Sequence, residues 1–309
     1  MMTKSITAIA PATVANVGPG FDTLGFALAE PCVSVTATLT TTTGSKVTVS
    51  CDDSKIPTDP LKNTAGAAAL SLLAQLQSTA SVSLHSNTGI PLGSGLGSSA
   101  ASAVAAVVAV NALLGSPLKT EALLQSALDG EAVVSGARHA DNVAPCLLGG
   151  FVVIRQHDPA DWIHVHTPAS LHYIVVHPHY MVSTADARRI LPATVSLKDA
   201  TQQWANVAML IAALAAGDTH HVGRALEDKI IEPVRAQLIP GYNTVKLAAL
   251  NAGALGCTIS GSGPSVLALC NEKTQIEKIS IAMVRAFSEA GLKADTWIGT
   301  LHNPGARII

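Results

Sequence analysis

Apolar and polar positions alternate with period two over Lys46–Ser50, Ser81–His85, Phe151–Arg155, Trp162–Thr167 and His172–His177, and each stretch predicts a β-strand. Ser265–Cys270 is continuously apolar and predicts a buried strand. Helical spacing runs through Leu61–Gln77, Ser99–Leu114, Lys119–Ser135, Leu197–Ala216, Tyr242–Ala252 and Thr274–Ala290. In the first of these, Leu70, Leu73, Ala74 and Gln77 fall on one helical face. Strands and helices mix without regular alternation, which predicts an α+β fold rather than a doubly wound sheet. Turn-forming residues cluster in QHDPADW (156–162) and place a seam there, dividing the chain into 1–157 and 158–309. No internal repeat or low-complexity tract interrupts this plan.

Composition narrows the picture. The chain has 309 residues, enough for two domains. It is 48% hydrophobic but only 3% aromatic, so its core is built from small aliphatic side chains. A net charge of −2 leaves no basic excess for a nucleic acid and no polybasic anchor for a membrane surface. Cys32, Cys51, Cys146, Cys257 and Cys270 are widely spaced and include no C-x-x-C pair, which predicts buried thiols in a reducing, cytoplasmic setting. Pro11, Asn16 and Gly18 interrupt the N-terminal apolar residues, so no signal peptide is expected. The apolar runs 100–115 and 204–216 are short and Ala-rich, and read as buried helices rather than membrane spans. His164/His166, His177/His179 and His220/His221 have no cysteine or carboxylate at ligand spacing, and predict no metal site.

The candidate chemistry starts at PLGSGLGSSAAS (91–102), just before the predicted helix at Ser99. No Gly-Lys-Ser/Thr follows, so this is not a Walker A loop, and the third position of a dinucleotide fingerprint falls on Ser98. What remains is a glycine-rich loop opening a helix, where free N–H groups and the helix dipole favour an anion. Ser98 and Ser99 could cap the helix or ligate Mg²⁺. Taken alone, the loop is equally a flexible capped turn. A second loop, ISGSGPS (259–265), precedes the apolar strand and is equally a tight hairpin turn by itself. Asn16 and Asp22 flank Gly18-Pro19-Gly20 in a rigid turn. Glu131, His139, Asp141 and Asn142 lie within twelve residues, in a stretch that by itself reads as a solvated loop. Arg188, Arg189 and Arg235 offer guanidinium groups suited to a carboxylate.

Together these stretches resemble the GHMP small-molecule kinases. PLGSGLGSSAAS is similar to the superfamily's central phosphate-binding motif. APATVANVGPGFDTLGFAL (10–28) and GCTISGSGPSVLAL (256–269) are similar to its first and third motifs, in the expected order. NVGPGFD, GARHADNVAPCLLGGF and STADARRILP with EPVRAQLIPGY resemble the branch whose acceptor is L-homoserine. The resemblance implies a two-domain α+β fold, with a left-handed βαβ unit in the N-terminal domain and a ferredoxin-like C-terminal domain. It implies ATP as phosphoryl donor, L-homoserine as acceptor, Mg²⁺, and a homodimer as a compatible state. It places the triphosphate on Pro91, Leu92, Gly93, Ser94, Gly95, Leu96, Gly97, Ser98, Ser99, Ala100 and Ala101, closed over by Gly261, Ser262 and Gly263. It sets Asn63 at the base and Ser99 and Glu131 on Mg²⁺. Asn16, Asp22, His139, Asn142, Thr184, Arg188 and Arg235 match the acceptor pocket, and Asp141, Asn142 and Arg188 the catalytic positions. Asp141 occupies the place of the aspartate base of mevalonate-type relatives, and is expected here, with Asn142, to orient the acceptor hydroxyl. Two alternatives stay open: another acceptor such as mevalonate, shikimate or a sugar, and a silent ATP-binding sensor.

Overall fold

The computed structural model of the chain describes residues 4–41, 46–136 and 138–309. In chain order the first half contains β1 (Ser5–Ala15), β2 (Leu24–Leu39), β3 (Val47–Cys51), α1 (Thr64–Gln75), β4 (Val82–Thr88) and α2 (Ser98–Leu113). A 3-10 turn at Thr120–Leu123 leads into α3 (Leu124–Ser135), followed by α4 (Ala140–Leu148), β5 (Phe151–His157) and β6 (Ala160–Val165). The second half contains β7 (His172–Pro178), α5 (Thr184–Arg189), α6 (Leu197–Ala216), α7 (Thr219–Ala225), α8 (Glu232–Arg235) and α9 (Tyr242–Asn251). It ends with β8 (Gly256–Ile259), β9 (Val266–Cys270), α10 (Lys273–Glu289), β10 (Ala294–Thr300) and β11 (Arg307–Ile308).

Two sheets organise these elements. The first has the order β11-β1-β2-β4-β3, with β5 paired to the start of β2 and β6 paired to β5. Within it β3 and β4 are parallel and joined through α1, a βαβ unit. The second has the order β10-β7-β9-β8, all antiparallel. Numbered within that half, the order is 4-1-3-2 with helices between strands one and two and between three and four, the ferredoxin-like arrangement.

The 157/158 boundary falls inside the first sheet rather than between domains. Gln156 pairs with Asp161 and His157 with Ala160, so QHDPADW is the turn of the β5–β6 hairpin. Asp-Pro turn chemistry serves a hairpin as well as a linker, which is why composition misplaces the seam. The chain passes between the sheets over residues 166–171 instead.

α2 explains the composition. Its side chains from Ala100 to Leu113 are almost all buried, and it packs on β1, β2, α1 and α3. A helix apolar all round belongs in a core, and small alanine side chains let its neighbours approach closely. β7 is buried along its whole length because it has two apolar faces. Tyr173 and Val175 join the core of the first sheet, while Ile174 and Val176 pack under α9 and α10. Tyr173 also ties the two sheets together. Its ring lies 5.7 Å from that of Phe26, and its hydroxyl accepts the Ala29 N–H at 2.9 Å.

Candidate active site

The glycine loop takes its shape from three left-handed residues, Gly93, Gly95 and Gly97, with φ of 64°, 77° and 70°. A side chain at Gly97 would meet Thr13 Oγ1 at 2.3 Å, so glycine is required by space as well as by φ. Gly97 is also the N-cap of α2, and no side chain caps that helix. Neither Ser98 nor Ser99 is used for capping. Ser98 Oγ bonds the Ile90 carbonyl at 3.4 Å, and Ser99 Oγ donates to Glu131 Oε1 at 3.0 Å. The first-turn N–H groups of a buried helix therefore open toward a cavity of about 230 Å³, lined among others by Gly93, Ser94, Gly95, Gly97, Ser98 and Ser99.

The second glycine loop is a buttress for the first, not a solvent-facing turn. Ser260 Oγ donates to the Gly95 carbonyl at 2.8 Å, and Ser265 Oγ to the Ser94 carbonyl at 2.7 Å. Gly261 N–H reaches back to Ala15 O at 2.9 Å. Gly261 and Ser262 line the cavity, whereas a side chain at Gly263 would meet Ile239. Several predicted phosphate residues stand apart from the cavity wall. Leu96, Ala100 and Ala101 point their side chains into the core, and Pro91 borders a separate depression beside His177 and Met181. Only backbone groups of those core residues remain for a ligand.

The charged end of the cavity grows from the turn joining β1 and β2. Asn16 and Asp22 both adopt φ of 56°, a conformation Asn and Asp tolerate better than most residues. Asn16 Oδ1 accepts the Asp22 N–H at 2.7 Å and closes the turn. Arg188, on α5, forks onto the Asp22 carboxylate at 2.9 and 3.1 Å. Arg235 is 3% exposed; its Nη1 donates to Gly261 O at 2.8 Å and its Nε to Ala187 O at 3.3 Å. Burial lowers its pKa, and the neighbouring Arg188 charge adds to that. Thr184 joins the same wall.

The opposite wall is α4, so the stretch that alone suggests a solvated loop is a largely buried helix. His139 is its N-cap residue, and Asp141 and Asn142 sit in its first turn. Asn142 Oδ1 accepts from Thr13 Oγ1 at 2.7 Å, which fixes the amide. Asp141 is 2% exposed, and its Oδ1 has no hydrogen-bond partner. Burial, then the Asp22 charge, pushes its carboxyl up to about 7. Burial likewise raises Glu131 to about 7, with the Ser99 hydrogen bond opposing, and lowers His139. Asp22, His139 and Asp141 bring one ligand atom each within 4.8 Å of one another, a cluster able to hold a cation.

Asn63 lies outside this cavity. It caps α1 by accepting the Gly66 N–H at 3.0 Å, and its Nδ2 donates to Pro57 O at 2.8 Å. It lines an adjoining cavity of about 180 Å³. The two cavities share Leu92, Ser98, Ser99 and Val134, so they meet at the α2 N-terminus. Sequence reasoning passes over Thr13, Ser260, Ser265 and Phe21, all of which shape the site. The first three are small hydroxyls that only tertiary contacts single out. Phe21 could have been noticed as an aromatic inside the polar turn of a chain that is 3% aromatic.

A glycine loop on a helix N-terminus, a hydroxyl–carboxylate pair beside it and a charged pocket next to both suit a small-molecule kinase. Residues 63–150 match the GHMP kinases N terminal domain and residues 210–289 the GHMP kinases C terminal domain. The homoserine kinase of Chlorobaculum tepidum is 45% identical, covering 99% of this chain and 98% of its own. That of Chlorobium phaeovibrioides is 46% identical, covering 99% and 100%. The crystal structure of homoserine kinase from Cytophaga hutchinsonii superposes with a TM-score of 0.96 at 45% identity, covering 100% of this chain and 98% of that one. The chain belongs to the GHMP kinases and, within them, to the homoserine kinase family. Among the described residues no helix is long and apolar enough to cross a membrane.

Proposed function

We propose that this chain transfers the γ-phosphoryl group of ATP to the side-chain hydroxyl of L-homoserine, giving O-phospho-L-homoserine on the route to threonine. The observation that carries this is the meeting of two cavities at the α2 N-terminus, one beside Asn63 and one ending in Asp22, Arg188 and Arg235. The base of ATP sits beside Asn63 and the triphosphate on the loop 93–99. L-homoserine fills the charged end. Its carboxylate meets Arg235 and Arg188, and its ammonium meets the cluster of Asp22, His139 and Asp141. Asn16 and Thr184 complete the pocket.

Phosphoryl transfer through a loose transition state needs alignment and charge neutralisation more than covalent help. Backbone N–H groups of the glycine loop hold the phosphoryl oxygens, and Arg188, which lines the same cavity, offsets charge on the transferred group. The Ser99 hydroxyl and Glu131 carboxylate, 3.0 Å apart, are hard oxygen donors of the kind Mg²⁺ takes, so this pair fits the ion. Mg²⁺ held there supplies neutralisation of phosphoryl charge. Asp141 and Asn142 orient the acceptor hydroxyl, whose proton passes to the γ-phosphoryl oxygens or to solvent. The two lobes divide near residues 166–171, and the enzyme works in the cytoplasm.

An ADP-release assay over a panel of alcohols tests the assignment. Turnover is expected with L-homoserine and not with mevalonate, shikimate or neutral sugars. Turnover of mevalonate with none of homoserine would overturn it.

A further inference from the structure

Two like charges meet at the acceptor end. Arg235 is buried and fixed by two backbone carbonyls, whereas Arg188 is partly exposed and leans on Asp22. Both guanidinium groups also lie over one aromatic ring, that of Phe21, at 5.0 Å for Arg235 and 5.3 Å for Arg188. The ring is carried by a turn with little freedom. Its neighbour Asp22 is pinned through the Asn16 amide, and a side chain on Gly20 would overlap Leu24. The face of an aromatic ring carries partial negative charge and attracts a guanidinium, which offsets the repulsion between the two cations. A leucine of similar apolar bulk has no such charge.

We infer that Phe21 is a specificity-determining positioning residue, whose ring gathers Arg188 and Arg235 into one receptor for the acceptor's carboxylate. This rests on the assignment of the two arginines to that carboxylate. Loss of the ring then weakens chiefly the binding of acceptors that carry a carboxylate, because Asp22 keeps its own anchor in the Asn16 amide. The phosphate loop is built from other residues, so ATP binding does not depend on the ring. A ring that merely filled space would show neither selectivity.

The test compares L-homoserine with 3-aminopropan-1-ol, which keeps the ammonium and primary hydroxyl and lacks the carboxylate. The KM for homoserine and the inhibition constant for the amino alcohol are measured in wild type, Phe21→Leu, Phe21→Tyr and Arg235→Leu. Phe21→Leu is expected to raise the homoserine KM about tenfold, and Phe21→Tyr to restore it. The amino-alcohol constant and the ATP KM stay within about twofold of wild type in both. Equal weakening of both acceptors by Phe21→Leu would overturn the inference in favour of packing alone. So would an unchanged homoserine KM in Phe21→Leu alongside a raised one in Arg235→Leu. An unchanged homoserine KM in Arg235→Leu would instead remove the carboxylate assignment itself, and the inference with it.

Discussion

Asp141 keeps a carboxyl group almost wholly out of water, with one oxygen unpartnered. Its pKa of about 7, against an ordinary value of 3.8, means that the folded state disfavours its ionised form. The penalty is absent below pH 3.8, grows between 3.8 and 7, and is complete above 7. Asp141→Asn should therefore stabilise the ligand-free protein at pH 8 by on the order of a few kcal/mol, read as a higher Tm, and the gain should vanish near pH 3.5. Equal Tm gains at both pH values would show that the carboxyl is not strained by its charge. The same variant separates two roles in turnover. Orientation of the hydroxyl predicts a loss of about tenfold, whereas proton abstraction predicts about 10²–10⁴-fold. Arg235→Leu should raise the homoserine KM strongly and leave ATP affinity close to wild type, since the lost guanidinium belongs to the proposed acceptor end. A matching loss of ATP affinity in titration calorimetry would place Arg235 in the phosphate site. At this scale the sequence shows which residue types are present. It does not show that Asn142 is locked by Thr13 or that Arg235 is buried, because those partners lie 129 and 26 or more residues away.

Among the elements, α2 does most to position the site. Its length and apolar content are plain from the sequence, and its observed bounds, Ser98–Leu113, differ by one residue at each end from the periodic reading. α6 spans Leu197–Ala216, as its periodicity predicts. α4 is the opposite case. It is nine residues long with Pro145 inside it, so propensity and periodicity both fail, and packing against β1, β2 and β5 holds it. β1 and β2 are also passed over: the second half of β1 and the start of β2 are buried on both faces and lose the alternation that marks a strand, whereas Val33, Val35 and Ala37 of β2 do alternate with half-buried polar residues and could have been read. Gly97→Ala tests how far the α2 N-terminus depends on its cap. The added methyl group meets Thr13 and Asn142 and forces a left-handed alanine. The expected outcome is an ATP KM raised about 10–100-fold with helical circular dichroism unchanged. A normal ATP KM would mean that the loop does not cradle the triphosphate.

Over the whole molecule, the second sheet supports a site whose glycine loop belongs to the first. Ser260 and Ser265 precede β9 and bond the carbonyls of Gly95 and Ser94, and His177 on β7 contacts Ser265 Oγ at 3.1 Å. Ser265→Ala should raise the ATP KM about tenfold and affect homoserine less, because only the glycine loop loses its support. An effect confined to homoserine would contradict that division. We also propose a homodimer, with the exposed Leu197 and Trp204, seven residues apart on one face of α6, within the surface it covers, to be checked by light scattering. A monomer at all concentrations would leave that face uncovered. The sequence by itself determined the α+β class, most helices, the three glycine- and polar-rich motifs and the residue types of the charged cavity end. Each of these is a local property, set by spacing and composition along the chain. Only the tertiary structure decided that 156–162 turns a hairpin, that the second glycine loop braces the first, and that Phe21 lies against two arginines. Those contacts join segments far apart in the chain, and local patterning carries no record of which distant surfaces will meet.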